Sequence, residues 1–288
     1  MLVRRQDLPG HAAGPEAKAL NVIWPSEGIW EAVVPSLAGF TVEILPQIDS
    51  TNTELMRRAK AGQLEPVLLV AERQTAGRGR LGRDWRSDGA DGVAQPSLTF
   101  SLGLPLAPQN WSGLSLAVGV SVAQSLHPAL RLKWPNDIWL QDRKLGGILI
   151  ETGSFGDVRY VVIGVGINMA APDAVGLSTP PAWLGEIQAD LDAGQALQRL
   201  AAPLVRNVQT FEAQGFAPFQ APFNALDRLA GRAVVCSDGI TGEANGVDAT
   251  GALLVQTAAG LRRITSAEVS VRPAAAAVVS MASIPRPC

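Results

Sequence analysis

Cysteine is nearly absent from this sequence: Cys236 and Cys288 are the only two in 288 residues. Two cysteines cannot build a disulfide framework, so a reducing, cytoplasmic setting is expected. A chain of this length can bury a sizeable core without such staples. Neither sign of charge is in excess, with 24 Lys and Arg against 26 Asp and Glu. That balance excludes a globally basic nucleic-acid wrapper and an acidic disordered tail protein. No apolar run approaches the roughly 18 residues that a membrane span needs. The first twenty residues lack the apolar region of a secretory signal and read as a mobile arm. No Gly-Lys-Ser/Thr occurs anywhere, which excludes a P-loop. Internal repeats are also missing. What remains is an ordinary globular composition.

The chain changes character along its length. Residues 40–228 alternate strand-like and helix-like segments. Residues 229–273 carry short β-type runs at 233–236, 252–256, 261–265 and 268–271, separated by turns such as Ser237-Asp238-Gly239. The pattern predicts an α+β domain followed by a small β-barrel. Residues 1–39 are then an N-terminal arm, and residues 274–288 a flexible tail. Thr51 and Glu54 have the spacing of a capping box, opening a helix that Gly62 ends. Strands are expected at 67–71, 98–102, 130–134, 138–140, 146–151 and 160–167. Helices are expected at 111–126 and at Ala193–Gln214, where Leu197, Leu200, Leu204, Val208 and Phe211 share one face.

The most informative stretch is Glu72 to Arg86. It holds five arginines against one Glu and one Asp, in a chain that is otherwise slightly negative. Gly77, Gly79 and Gly82 permit close backbone approach, and arginine forks pair with phosphate or carboxylate. The residues describe a flexible loop that clamps an anion. Gly77-x-Gly79-x-x-Gly82 also fits a dinucleotide fingerprint, but the residues after Gly82 have no helical period. A solvated basic loop, or an arginine patch for RNA, is the plain alternative on composition alone.

A second cluster follows at Lys133-Trp134-Pro135-Asn136-Asp137 and Arg143-Lys144-Leu145-Gly146-Gly147-Ile148. The residues between form a hairpin with Lys133, Asp137 and Lys144 at strand ends around one pocket. Either lysine could neutralise phosphate oxygens. Asp137 could hold a divalent cation or orient a lysine. Gly146 and Gly147 remove side chains where a backbone or ligand must pack closely. Gly164-Val165-Gly166-Ile167-Asn168 ends a strong strand, placing Asn168 at its rim. The plain alternative for each is an ordinary turn or strand end.

Taken in order, these motifs resemble the bacterial biotin protein ligase family, in a form without an N-terminal DNA-binding domain. Ser50-Thr51-Asn52, Gln74, Trp85, residues 211–219 and residues 246–253 belong to the same resemblance, which covers roughly residues 40–272. It implies a mixed β-sheet catalytic domain flanked by helices, class II synthetase-like and shared with lipoate ligases, plus an SH3-like C-terminal barrel. It implies that biotin and ATP, with transient Mg²⁺ of unknown ligands, give biotinyl-5′-AMP and pyrophosphate. The biotinyl group then passes to a lysine of a biotin carboxyl carrier domain, of acetyl-CoA carboxylase or another biotin carboxylase. Lys144, Arg78 and Asp137 would be catalytic, with Asp137 helping to deprotonate the attacking amine. Ser50, Thr51, Asn52, Gln74, Arg78, Gly79, Arg80, Lys144 and Gly147 would bind biotin. Arg78, Arg80, Arg83, Trp85, Lys133, Asn136, Lys144 and Asn168 would bind the nucleotide, Trp85 either as an anchor or as a stacking platform.

The prolines at 9, 15, 25 and 35 leave no helix-turn-helix pattern before residue 40, so no nucleic-acid partner is expected. No membrane partner is expected either. Residues 87–96 look like a polar, family-variable loop. An exposed sheet edge could form a homodimer or dock the carrier. A lipoate-type acyl ligase and a non-catalytic biotin sensor are the alternative functions.

Overall fold

The computed structural model of the chain describes residues 22–86, 97–173, 181–265 and 271–273. Most of the arm, the 87–96 loop, residues 268–270 of the last expected strand, Cys288 and the tail lie outside them.

The larger unit is a seven-stranded sheet. Its strands are β1 (Thr41–Ile48), β2 (Val67–Gln74), β3 (Ser97–Pro105), β4 (Arg131–Lys133), β5 (Asp137–Leu140), β6 (Arg143–Phe155) and β7 (Val158–Asn168). Their spatial order is β1-β2-β3-β7-β6-β5-β4. Only β1 and β2 pair in parallel; every other neighbour is antiparallel, so the sheet is mixed. Helix α2 (Thr51–Lys60) lies on one face, where Leu55 and Ala59 meet Leu69, Tyr160 and Val162. On the other face lie α1 (Ser26–Val33), α3 (Leu114–Leu126), α4 (Ala193–Gln214) and α5 (Ala217–Leu226). Period-2 alternation sorts the strands between the two cores: Leu68 and Val70 join the larger, Val67 and Leu69 the smaller.

Two expectations change here. Ser26–Val33 is not part of an arm. It is a helix that buries Ile29 and Val33 against the larger core. Its buried pair, Ile29 and Val33, is spaced i, i+4, but Pro25 and Pro35 flank it and hide the signal. The α2 cap is also shifted. Ser50, not Thr51, is the N-cap, its side chain accepting from Thr53 N at 3.4 Å. Thr51 is already helical, and Glu54 pairs with Arg57 and Arg58 instead of closing a box.

The smaller unit is an antiparallel sheet of β8 (Ala233–Cys236), β9 (Thr241–Val247), β10 (Leu253–Thr257), β11 (Gly260–Ile264) and β12 (Val271–Pro273), in the order β11-β10-β9-β8-β12. Its buried apolar residues, among them Cys236, are continuous with the larger core. Trp134 Nε1 donates to Gly251 O at 3.1 Å, and Ser112 Oγ to Thr250 O at 2.7 Å, across the junction. No described helix is long and apolar enough to cross a membrane.

Candidate active site

A cleft opens on the α2 face of the large sheet. Glycine makes the room. On β7, Gly164 and Gly166 point to this face, and β6 sets Gly147 opposite Gly166. A methyl at Gly166 would come within 2.6 Å of Trp85 Cζ2, and one at Gly164 within 2.9 Å of Asn52 Cγ. The bare strand floor is therefore what seats both side chains.

A buried polar network closes one end. The N-terminus of α2 brings Ser50, Thr51 and Asn52 to the sheet, each at most 3% exposed. Gln74 Oε1 accepts from Thr51 N at 2.8 Å, and Thr51 Oγ1 lies 3.1 Å away from the same oxygen. Ser101 Oγ lies 2.7 Å from Thr51 Oγ1 and 2.6 Å from Asn52 Oδ1. Asn52 Nδ2 donates to Glu151 Oε2 at 2.9 Å, and Glu151 pairs with Arg78 at 3.0 Å. Buried polar groups satisfied in this way hold fixed positions.

The Gly/Arg loop crosses above the floor. It folds back on itself: Trp85 N donates to Gly77 O at 2.9 Å, and Gly79 N to Arg83 O at 2.7 Å. Gly77 has no room for a side chain against the Trp85 backbone. Leu81 sits at the exposed tip in left-handed backbone, φ 57°. The Trp85 indole lies on Gly166, with a buried Nε1 that has no hydrogen-bond partner among the described residues. That contact is the packing an anchor of the loop would make. Arg80 Nη1 donates to Asn136 Oδ1 at 3.3 Å, and Asn136 Nδ2 to Ile148 O at 2.7 Å. Burial lowers the Arg80 pKa, partly offset by Asp137.

The hairpin supplies the other cations. Lys133, Asp137 and Gly147 are successive cross-strand partners, so their side positions share the cleft face. Simple alternation from Gly147 would turn Lys144 away. The register shifts between Ile138 and Trp139, leaving Leu145 as the extra residue of a β-bulge, and Lys144 comes to the cleft face. Lys144 Nζ then reaches Asp137 Oδ1 at 2.7 Å, while Lys133 Nζ lies 3.4 Å from Asp137 Oδ2 and over the Trp139 ring. Lys133 is lowered, mainly by burial, against the pull of Asp137. Burial raises Asp137, but Lys144 and Lys133 outweigh it and leave the carboxyl below its ordinary range. A depressed carboxylate held by two ammonium groups is a poor proton acceptor. The geometry suits an anchor for Lys144 better than the base that the sequence suggested.

The cleft thus gathers Ser50, Thr51, Asn52, Gln74, Arg78, Gly79, Arg80, Arg83 and Trp85 with Lys133, Asn136, Asp137, Lys144 and Gly147. Asn168 stands apart. It is buried beyond the cleft lining, and its Nδ2 donates to Ala182 O at 2.9 Å, as a strand-end pin. Glu151 joins the cleft network from β6 without a sequence signal, whereas Thr99, Ser101 and the floor glycines Gly164 and Gly166 had one. Small and polar residues recur at every second position on one face of otherwise apolar β3 and β7. Five basic and two acidic residues line the cleft, so it favours an anion. Among the described residues no cluster of three or more His, Cys, Asp or Glu could hold a metal ion.

The model of the biotin/lipoate A/B protein ligase family matches residues 44–168, and that of the biotin protein ligase C terminal domain matches residues 232–272. The chain is 37% identical to the bifunctional ligase/repressor BirA of Escherichia coli K12, over 84% of this chain and 77% of that one. It is 33% identical to the biotin--[acetyl-CoA-carboxylase] ligase of Paracoccus denitrificans, over 78% of this chain and 98% of that one. The fold is similar to that of the Aquifex aeolicus biotin protein ligase solved with biotin and ATP. That match has a TM-score of 0.68 and 30% identity, and covers 81% of this chain and 98% of the other.

Proposed function

Because the chain belongs to the biotin/lipoate A/B protein ligase family, as a biotin protein ligase, we propose that its cleft activates biotin with ATP and passes it to a lysine of a biotin carboxyl carrier domain. The carrier would be that of acetyl-CoA carboxylase or another biotin-dependent carboxylase. A reducing, cytoplasmic compartment fits a chain whose one described cysteine, Cys236, is buried and unpaired.

In the first step a biotin carboxylate oxygen attacks the α-phosphorus of ATP, and pyrophosphate leaves with the bonding pair. Anion meets anion, so the reaction needs fixed positive charge where the two groups join. Lys144, aimed by the bulge and steadied by Asp137, is the group for that point. Arg78, Arg80, Arg83 and Lys133 surround it. Mg²⁺ would enter with the ATP phosphates, since the described residues offer no carboxylate cluster of their own. At the other end of the cleft, Gln74 gives its carbonyl to Thr51, so its NH₂ is the end that meets a ligand carbonyl. Ser50, Thr51 and Asn52 would bind the ureido ring beside it. In the second step the carrier amine attacks the acyl carbon, AMP leaves, and the amine gives up a proton.

The observation that carries this reading is the convergence of five cations and a buried neutral polar network on one glycine-floored cleft. The test uses purified protein, biotin, Mg²⁺ and α-labelled ATP without carrier. Biotinyl-AMP should form, and Lys144→Ala should reduce its rate at least about 100-fold, as loss of a preorganised transition-state donor does. Adenylate formed with lipoate but not biotin would move the chain to the lipoate ligases. No adenylate with either would leave a biotin sensor.

A further inference from the structure

The β5–β6 turn carries a charge cluster outside the cleft. Its central residues, Gln141 and Asp142, have φ of 48° and 65°. A two-residue hairpin needs left-handed backbone there, and Asn or Gly is the usual solution. Neither position is glycine here, so Asp142 is held in place by its side chain. Its carboxylate accepts from Arg228 Nε at 2.6 Å and from Arg228 Nη2, and from Arg232 Nη1 and Nη2 at 2.8 and 3.1 Å. Hydrogen bonds from Arg228 and Arg232 hold the carboxyl at about 2, so it is charged throughout the working pH range. Both arginines lie in the segment between α5 and β8. That segment runs beside β4: Asp227 bridges Leu132, and Arg228 N donates to Leu132 O at 2.8 Å. The turn is therefore pinned to the connection that leads into the C-terminal sheet.

The pin lies two residues from Lys144. A one-residue slip of a hairpin turns every following side chain to the opposite face. The bulge at Leu145 keeps Lys144 toward Asp137 only while the turn holds its register. Arg143, between them, is itself tied to Glu186 and to Pro181 O.

We propose that Asp142 is a positioning residue. Its clamp on Arg228 and Arg232 fixes the register of the β5–β6 hairpin, aims Lys144 at the reacting groups, and couples that aim to the seating of the C-terminal domain. The part played by Lys144 rests on the ligase reading; the clamp on the register does not. A displacement of about 1 Å far from the chemistry can cost about 100-fold in rate, so a surface cluster of modest stability can matter greatly to turnover.

The test uses Asp142→Asn in the full chain, because Asn tolerates left-handed backbone while the charge and one of the two acceptor oxygens are lost. Adenylate formation should show kcat lowered at least about tenfold, with the KM for biotin within about twofold and the melting temperature nearly unchanged. Hydrogen exchange at residues 141–146 should quicken. The double variant Arg228→Met with Arg232→Met should behave alike, and adding Asp142→Asn to it should cause no further loss. Arg232→Met alone should give a smaller decrease in kcat, and serves where Asp142→Asn does not fold. A lower melting temperature with wild-type kcat in the folded protein would reduce the cluster to a structural brace and overturn the proposal. So would unchanged kcat. A wild-type chain that makes no adenylate would instead sink the ligase reading. Exchange at residues 141–146 would then decide the clamp: faster in Asp142→Asn upholds it, unchanged overturns it.

Discussion

Gly166 shows how a missing side chain can be a functional residue. The Trp85 indole occupies the space its Cβ would need, and Gly164 does the same for Asn52. Gly166→Ala cannot be absorbed by a flexible tip, because the neighbour is a rigid ring and the strand is paired on both sides. Overpacking of this kind costs about 1–3 kcal/mol. Here most of that cost falls on Trp85, which leaves the floor and takes the Gly/Arg loop with it. Gly166→Ala should therefore fold but bind biotin about 10- to 100-fold more weakly, a range set by that same overpacking cost. Titration calorimetry reads this directly, and wild-type affinity would show that Trp85 does not anchor the loop. A glycine chosen for flexibility would behave differently: Gly82, with φ 69° and open space around it, should tolerate change only by backbone strain.

At the scale of elements, the loop depends on β6 for its second anchor. Arg78 reaches Glu151 at 3.0 Å and Thr53 Oγ1 at 3.3 Å, and Glu151 also holds Asn52. The Arg78 side chain is 49% exposed, so the pair is worth no more than about 1 kcal/mol. Glu151→Gln should thus let the loop open more often without unfolding anything. Biotinyl-AMP formed without carrier should escape about two- to fivefold faster, as less than about 1 kcal/mol implies. A filter-binding assay of adenylate release would decide, and an unchanged rate would detach Arg78 from loop closure. Glu151 was not legible in the sequence, because a lone acid after an apolar run reads as a solvated strand end. The loop and hairpin were legible, because glycine, arginine and lysine at those spacings have few structural uses. Helix α4 was read to its ends, since its apolar stripe is long and periodic and Asp192 and Gly215 bound it. Short elements bounded or interrupted by proline, such as α1 beside Pro25 and α5 with Pro222 inside it, left too little period to read. The bulge that turns Lys144 was hidden too, since alternation by itself assigns that lysine to the wrong face.

The whole molecule joins its two sheets through a segment that carries a second unusual acid. Asp227 Oδ1 accepts from Leu229 N at 2.8 Å, while Oδ2 is buried and has no hydrogen-bond partner among the described residues. Burial pushes its carboxyl up from 3.8 to about 6, partly offset by the Leu229 N–H. The folded chain therefore keeps this proton to higher pH than the unfolded chain. From about pH 4 to pH 6 the unfolded state ionises first, so folding stability falls as pH rises through that window. Asp137, Asp142 and Asp248 are depressed instead. Their contribution is present above the ordinary carboxylate range and is lost as pH falls through their lower values, so it changes mainly below pH 4. The two effects act on opposite sides of about pH 4: the depressed carboxylates lose their contribution below it, and Asp227 lowers stability above it. Asp227→Asn keeps the oxygen that Leu229 N needs and removes the charge that Oδ2 would carry at neutral pH. Relative to wild type it should gain on the order of 2 kcal/mol between pH 4 and pH 7. Urea unfolding at pH 4, 5, 6 and 7 measures that difference. A constant offset across the series would mean that Asp227 titrates normally and that the junction is wetter than its packing indicates.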